Sequence, residues 1–565
     1  MPSILRSLAR TTLRLSRSWI VRAGVDLWRL TILLLTLLLG LPVAVIAAYV
    51  FVPAGDVWQH LLDTLLSEYI INSLLLMLGV GVGVLLLGVS SAWLVTACDF
   101  PLRRFFQWAL LLPLAMPAYI IAYTYAGMLD FAGPVQTLLR SSFDWQWGDY
   151  WFPDVHSVGG AIAMFSLVLY PYVYLLARAA LLEQTVTVLE VSRSLGLGPW
   201  QTLFRVALPL ARPAIVTGLA LALMETLADY GTVQYFGIDT FTTGIFRTWF
   251  GLGDSAAAAQ LSAVLLGFVL TLLLLERWSR RQARYHQTTR ADRKPVRIKL
   301  TGRRGIVALL LCALPLLLGF LIPAAQLALW AIETAGEMLD SSFIQLTWNS
   351  LKVAGLAAFI ALLIALLLNY GHRLRGNLVT AFALRMTALG YAIPGTVIAV
   401  GVMLPFAWVD NRIDSWLRTE FDFSSGLLLS GTLFILLFAY VVRFLGVSLQ
   451  TVEASLGKIP RSMDEAGRSL GLSSRQVLGR IHIPLMRASL LTALLLVFVD
   501  VLKELPATLI LRPFNFNTLA VRAFELASDE RLADSSSAAL AIVAAGLLPV
   551  ILLSRAIAKE RTSST

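Results

Sequence analysis

Charge is what this sequence has least of. Asp, Glu, Lys and Arg make up 14% of its 565 residues, against about 25% in soluble domains. That scarcity excludes an ordinary soluble enzyme. A 58% hydrophobic content excludes a disordered chain. Cysteine is nearly absent. Cys98 and Cys312 both lie at or in apolar segments, so neither a disulfide framework nor a cysteine-based metal site follows. The histidines at 60, 156, 286, 372 and 482 show no metal-ligand spacing. Lysine supplies only six of the 45 cations. A P-loop is missing as well. It needs G-x-x-x-x-G-K-[ST] to cradle phosphates, and the only Gly-Lys, Gly457-Lys458, is followed by Ile459. The chain therefore carries no motor, and no bound cofactor of its own is expected.

What fills the space is apolar sequence. A helix needs about 20 apolar residues to cross the hydrocarbon core. Twelve runs qualify, at 30–52, 70–96, 105–129, 158–177, 213–233, 256–275, 305–331, 348–369, 380–406, 426–447, 486–510 and 536–554. The first follows a basic segment (1–29) and is longer than the 7–15 apolar residues of a signal peptide, so it reads as a retained helix. The net charge of +11 sits between these runs, which points to a lipid bilayer and not to nucleic acid. Cytoplasmic loops carry the excess of Lys and Arg. With the N-terminus inside, the outer loops 53–69, 130–157, 234–255, 332–347, 407–425 and 511–535 hold seven Arg, no Lys and twenty Asp or Glu. The 276–304 linker holds eleven Lys or Arg, and the tail 555–565 adds three more. One topology satisfies every loop: twelve crossings with both termini in the cytoplasm. In the outer loops, the aromatic segment Trp145 to Phe152 reads as an interfacial belt.

The chain also repeats itself. Asn72-Ser73-Leu74 recurs as Asn349-Ser350-Leu351, and Pro117 recurs as Pro394, both 277 residues later. Glu190 to Gly196 recurs as Glu465 to Gly471, and Pro209 as Pro484, both at an offset of 275. Two six-helix domains, 30–275 and 305–554, are therefore expected as parallel repeats about an axis along the membrane normal. The prolines at 113, 117 and 394 are expected to kink their helices.

The most specific pattern lies in two paired cytoplasmic loops, 190–209 and 465–484. Both read Glu, five residues, Gly, nine residues, then apolar-x-apolar-Pro. Gly196 and Gly471 can end a short helix in the left-handed conformation. Ser473 to Gln476 fits a capping box, and Gly198-Pro199 places proline at a favoured first helical position. This doubled pattern resembles the EAA loop of the membrane subunits of binding-protein-dependent ABC importers, departing from it at Val191, Ser192 and Gly467. The resemblance implies a type I permease fold. It also implies that Glu190, Gly196, Leu197, Pro209, Glu465, Gly471, Leu472 and Pro484 belong to two coupling loops, each seated on one of two copies of a separate ATPase subunit that uses the ATP.

Few ionisable residues lie deep in the runs. An offset of 275 maps Glu225 onto Asp500 and Asp229 onto Glu504. Each pair is spaced i, i+4, so both carboxylates are expected on one helix face. A central acid costs about 2.5–3.5 kcal/mol on the insertion scale, so these residues are expected off the lipid and beside a substrate route. Hard oxygens favour a hard cation. The alternative is a structural role, with the acids bonded to backbone freed near Gly231 and Pro506. The segments Met224 to Val233 and Lys503 to Pro513 look like those of fused ferric-iron permeases. That likeness implies an importer to which an extracytoplasmic binding protein delivers Fe³⁺ at a bacterial inner membrane. Thiamine or a polyamine as cargo, and a twelve-helix secondary transporter, are the rival readings.

Overall fold

The computed structural model describes residues 27–53, 55–146, 148–281 and 297–562. Within them the side chains of 27, 183–191, 193, 199, 280–281 and 552–562 lie outside the description, as do most of the basic N-terminal segment and of the 276–304 linker. Apart from a two-residue parallel pairing of Cys98–Asp99 with Ile298–Lys299, the described elements are helical. Among the described residues, eleven helices are long and apolar enough to cross a membrane, or twelve if one bent pair is a single span. The protein is an all-helical polytopic membrane protein.

The apolar runs are less straight than their composition suggests. The 105–129 run is split into Arg103–Ala115 and Ala118–Phe143, which meet at 89°. Pro117 is the N-cap of the second piece, and Met116 before it is extended. The 380–406 run breaks in the same way. A helix over Leu378–Ala388 and a 3₁₀ turn end at Ala392, and Pro394 caps a new helix, Gly395–Phe421. Proline lacks the N–H that would continue the ladder, and it forces an extended residue before it. Both prolines thus start helices and do not merely kink them. The Gly395–Phe421 helix also takes up most of the segment expected as the 407–425 loop.

A second repeated device widens the helix just ahead of a proline. Five-residue π turns cover Leu203–Ala207, Leu317–Leu321 and Leu478–His482. Each ends two residues before Pro209, Pro323 or Pro484. A proline ring clashes with the carbonyl four residues earlier. A π turn offers a donor five residues on, so the helix passes the proline without a break.

The chain divides into two compact units. One comprises 1–45, 353–391 and 437–501. In it the first crossing, Leu27–Tyr49, packs on helices of the C-terminal repeat. Trp28 meets Tyr370 edge-on at 6.2 Å, Arg29 Nε donates to the Arg375 carbonyl at 3.2 Å, and the Thr387 hydroxyl donates to the Thr36 hydroxyl at 3.2 Å. The other unit comprises 46–352, 392–436 and 502–565. Its centre is the pair Leu66–Ala97 and Val158–Ser194. A Cβ on Gly79, Gly83 or Gly88 would lie within 3 Å of Ile162, Ser166 or Val173, so these small residues let the two helices approach closely. The Arg303–Met338 span packs here too: the Tyr125 hydroxyl donates to the Leu318 carbonyl at 2.7 Å, and Trp330 lies against Gly127.

Candidate functional site

The two loops carrying the doubled pattern end their first helix in the same way. Gly196 and Gly471 have φ of 72° and 82°, in the region where glycine avoids the Cβ clash. In the second loop Leu472 N–H donates to the Gly467 carbonyl and Gly471 N–H to that of Arg468, both at 3.0 Å. This is a Schellman closure. In the first loop Leu197 N–H donates to Ser192 O at 2.9 Å. Positions 192 and 467, where the EAA pattern is broken, are both buried. A Cβ on Gly467 would lie 3.1 Å from Ile481 and from Val477, so the next helix leaves room for nothing large there. Ser473 and Gln476 form a reciprocal capping box, and Pro199 opens the Pro199–Thr202 turn. Pro209 and Pro484 are exposed, two residues beyond the ends of the π turns.

The loops differ in how they are held. In the second, Gly457 and Pro460 separate a free-standing helix, Arg461–Ser469, from the crossing before it. The first has Leu182 and Thr185 at those positions, and one helix runs unbroken over Val158–Ser194. It is therefore not a separate short helix. Glu465 is exposed, as is Leu470 at the end of the same helix, at 82%. The Glu190 backbone is helical, and its side chain lies outside the described residues.

Beside Glu465, Asp464 is buried and joins three elements. Arg373 Nε donates to its Oδ2 at 2.8 Å, and His482 Nε2 donates to its Oδ1 at 2.6 Å. Arg373 also donates to the carbonyls of Leu456 and Ile459 at 2.7 and 2.8 Å. Burial raises the Asp464 carboxyl, but the Arg373 and His482 contacts outweigh it and hold it below the ordinary aspartate range. Sequence reading missed this triad. Its members are 91 and 18 residues apart, and the corresponding positions of the first repeat are Leu189 and Ala207.

Two of the four deep acids, Asp229 and Glu504, sit at helix breaks. Glu225 lies within Leu208–Ala228, but Asp229 is the extended residue that ends that helix. Its Oδ1 accepts the N–H of Thr232 at 2.8 Å and that of Val233 at 3.3 Å, capping the short Gly231–Tyr235 helix. Asp500 lies within Ile483–Leu502, whereas Glu504 follows its end. Glu504 Oε1 accepts the Ala507 N–H at 3.1 Å, ahead of Pro506–Leu511. The i, i+4 pairs therefore do not share a continuous helix face. The chain leaves the helix at Asp229 and Glu504 because each side chain satisfies the N–H groups of the next turn. Glu225, Asp229 and Glu504 belong to the larger unit and Asp500 to the smaller.

Within the larger unit Tyr119 packs beside the two helix breaks. It packs where a Gly231 Cβ would be 2.7 Å from the Tyr119 Cβ and 2.9 Å from Leu505. It also lies within electrostatic reach of Glu504, Asp229 and Lys503. Sequence reading passed over Tyr119 and Tyr123. The only signal was a tyrosine at i and i+4 directly after Pro117. Among the described residues, no three His, Cys, Asp or Glu side chains gather as a metal site.

The profile of the family described as "Binding-protein-dependent transport system inner membrane component" matches residues 84–284 and 357–561. The Fe(3+)-transport system permease protein FbpB 2 of Haemophilus influenzae is 27% identical over 533 residues, 92% of this chain and 97% of that protein. The putative ferric transport system permease protein FbpB 1 of the same organism is 25% identical, covering 81% of this chain and 73% of that one. The molybdenum transport system permease protein ModB of Escherichia coli is 27% identical over 203 residues, 35% of this chain and 86% of that one.

Proposed function

The chain belongs to the family of inner membrane components of binding-protein-dependent transport systems, and from that premise we propose that its cargo is ferric iron. It is a non-catalytic permease subunit of an ABC importer. An extracytoplasmic binding protein presents Fe³⁺, and two copies of an ATPase subunit engage the loops at 190–209 and 465–484 from the cytoplasm. ATP closes the ATPase pair, and the loops transmit the motion so that the route opens to alternate sides.

The observation that carries the cargo is the end-to-end likeness, 92% of this chain against 97% of a ferric permease. The likeness to the molybdenum permease covers only 35% of this chain. An oxyanion would also be repelled by carboxylates at both helix breaks, whereas a hard cation is attracted to them. The charge distribution supports cytoplasmic termini.

Radiolabelled ferric uptake in cells lacking the chain tests the reading. A plasmid copy is expected to restore uptake, and Asp229→Asn with Glu504→Gln to abolish it. Uptake restored equally by the double variant would demote the acids to helix caps. Uptake indifferent to the chain would refute the ferric reading.

A further inference from the structure

Two phenols stand beside Asp229 and Glu504 with nothing to bond. Tyr119 is 5% exposed and Tyr123 3%, and among the described residues neither hydroxyl has a hydrogen-bond partner. Buried polar atoms are nearly always paired, and an exception calls for a reason. Phenylalanine would fill the same space without stranding a hydroxyl. The two tyrosines lie four residues apart on one face of Ala118–Leu129, with ring centroids 5.8 Å apart. Tyr119 packs at the two helix breaks: a Cβ on Gly231, two residues past Asp229, would lie 2.7 Å from the Tyr119 Cβ and 2.9 Å from Leu505, the residue after Glu504.

The same stack continues away from the acids. Tyr123 meets Tyr235 at 4.6 Å, and Tyr235 meets His156 at 5.4 Å. His156 Nε2 lies 3.4 Å from Asp130 Oδ1, and the two side chains are 36% and 44% exposed. A column of rings thus leads from an exposed His–Asp pair, through three phenols, to two carboxylates. All seven residues belong to the larger unit.

We propose that this column ends in a transit site for the cargo, in which the Tyr119 and Tyr123 oxygens join Asp229 and Glu504 as ligands for Fe³⁺. The proposal rests on the ferric reading and names the residues that would handle the ion. Anionic oxygens suit a hard trivalent cation. The backbone N–H groups that cap Asp229 and Glu504 hold the carboxylates in place before the ion arrives. Each phenol that binds exchanges its O–H bond for an O–Fe bond. The proton leaves to water entering with the ion, and the iron stays ferric throughout. Helix breaks at Pro117, Asp229 and Glu504 bring loose backbone to one place, which is tolerated at membrane depth where it lines a protein-walled path.

The test uses the full chain with its ATPase partner in lipid nanodiscs, titrated with ferric nitrilotriacetate. Wild type is expected to develop a saturable phenolate-to-iron charge-transfer band in the visible. The double variant Y119F/Y123F is expected to lack the band and to lose ferric uptake in cells by roughly tenfold or more. Its melting temperature should be unchanged or higher and its ATPase assembly intact, because only unpartnered hydroxyls are removed. Absence of the band in wild type overturns the site. Wild-type uptake rates in Y119F/Y123F overturn it too and leave the ferric reading standing. Failure of wild type to import ferric iron overturns both.

Discussion

Asp464 fixes the position of its exposed neighbour Glu465. Its carboxylate satisfies Arg373 and His482, whose side chains are 10% and 0% exposed. Asp464→Ala would leave a buried guanidinium without its counter-charge. Breaking such a pair from one side costs about 3–5 kcal/mol, so the denaturation midpoint of the purified protein is expected to fall sharply. Arg373→Met combined with Asp464→Leu should recover much of the loss, and failure to do so would mean the triad is not a closed unit. The pH response has a definite sign. A carboxyl held low in the folded protein stabilises it above the unfolded aspartate value of about 3.9, and that contribution fades as pH falls through the lower folded value. Protease cleavage around Arg461–Ser469 should therefore rise as pH falls below about 3.9. The acid limb should be absent in Asp464→Asn.

At the level of the element, the π turns ahead of Pro209 and Pro484 set how the segment before each is rotated about its helix. Pro484→Ala removes the clash that favours the wide turn. If the turn closes to regular α-helix, one residue is absorbed and the upstream segment rotates by about 100°. Crosslinking from a cysteine at position 465 to the ATPase subunit is expected to drop in this variant, while the chain still inserts and folds. Unchanged crosslinking would show that the turn does not depend on the proline. None of these turns was legible in sequence, because a proline in an apolar run signals a disturbance without saying whether the helix bends, widens or restarts. Pro117 and Pro394 restart it, while Pro209, Pro323 and Pro484 are passed by widening. The paired glycines and the Ser473 capping box were legible, because they act through bonds within a few residues. The Asp464 triad and the phenols beside Asp229 were not. Their partners are brought together only by packing across distant segments, and the acids they accompany serve also as caps.

For the molecule as a whole, the repeat boundaries in sequence and the compact units in space do not coincide. The Leu27–Tyr49 helix lies in the unit built from 353–391 and 437–501. Replacing Cys98 and Cys312 with alanine and introducing T36C/T387C, at the two hydroxyls 3.2 Å apart, should give a disulfide under mild oxidation. After cleavage at a protease site engineered into the 276–304 linker, the two fragments should then run as one species without reductant. Separate fragments would place the first helix elsewhere.

That placement also sets a schedule for biogenesis. The first helix leaves the ribosome some 340 residues before its partners around Thr387 and Arg375 exist. At about 5–20 residues per second, it waits in the bilayer for roughly 20–70 s. During that interval lipid, an insertion chaperone or the helices already made must cover it. The newborn chain is then exposed to membrane-quality-control proteases, well before its fold is complete.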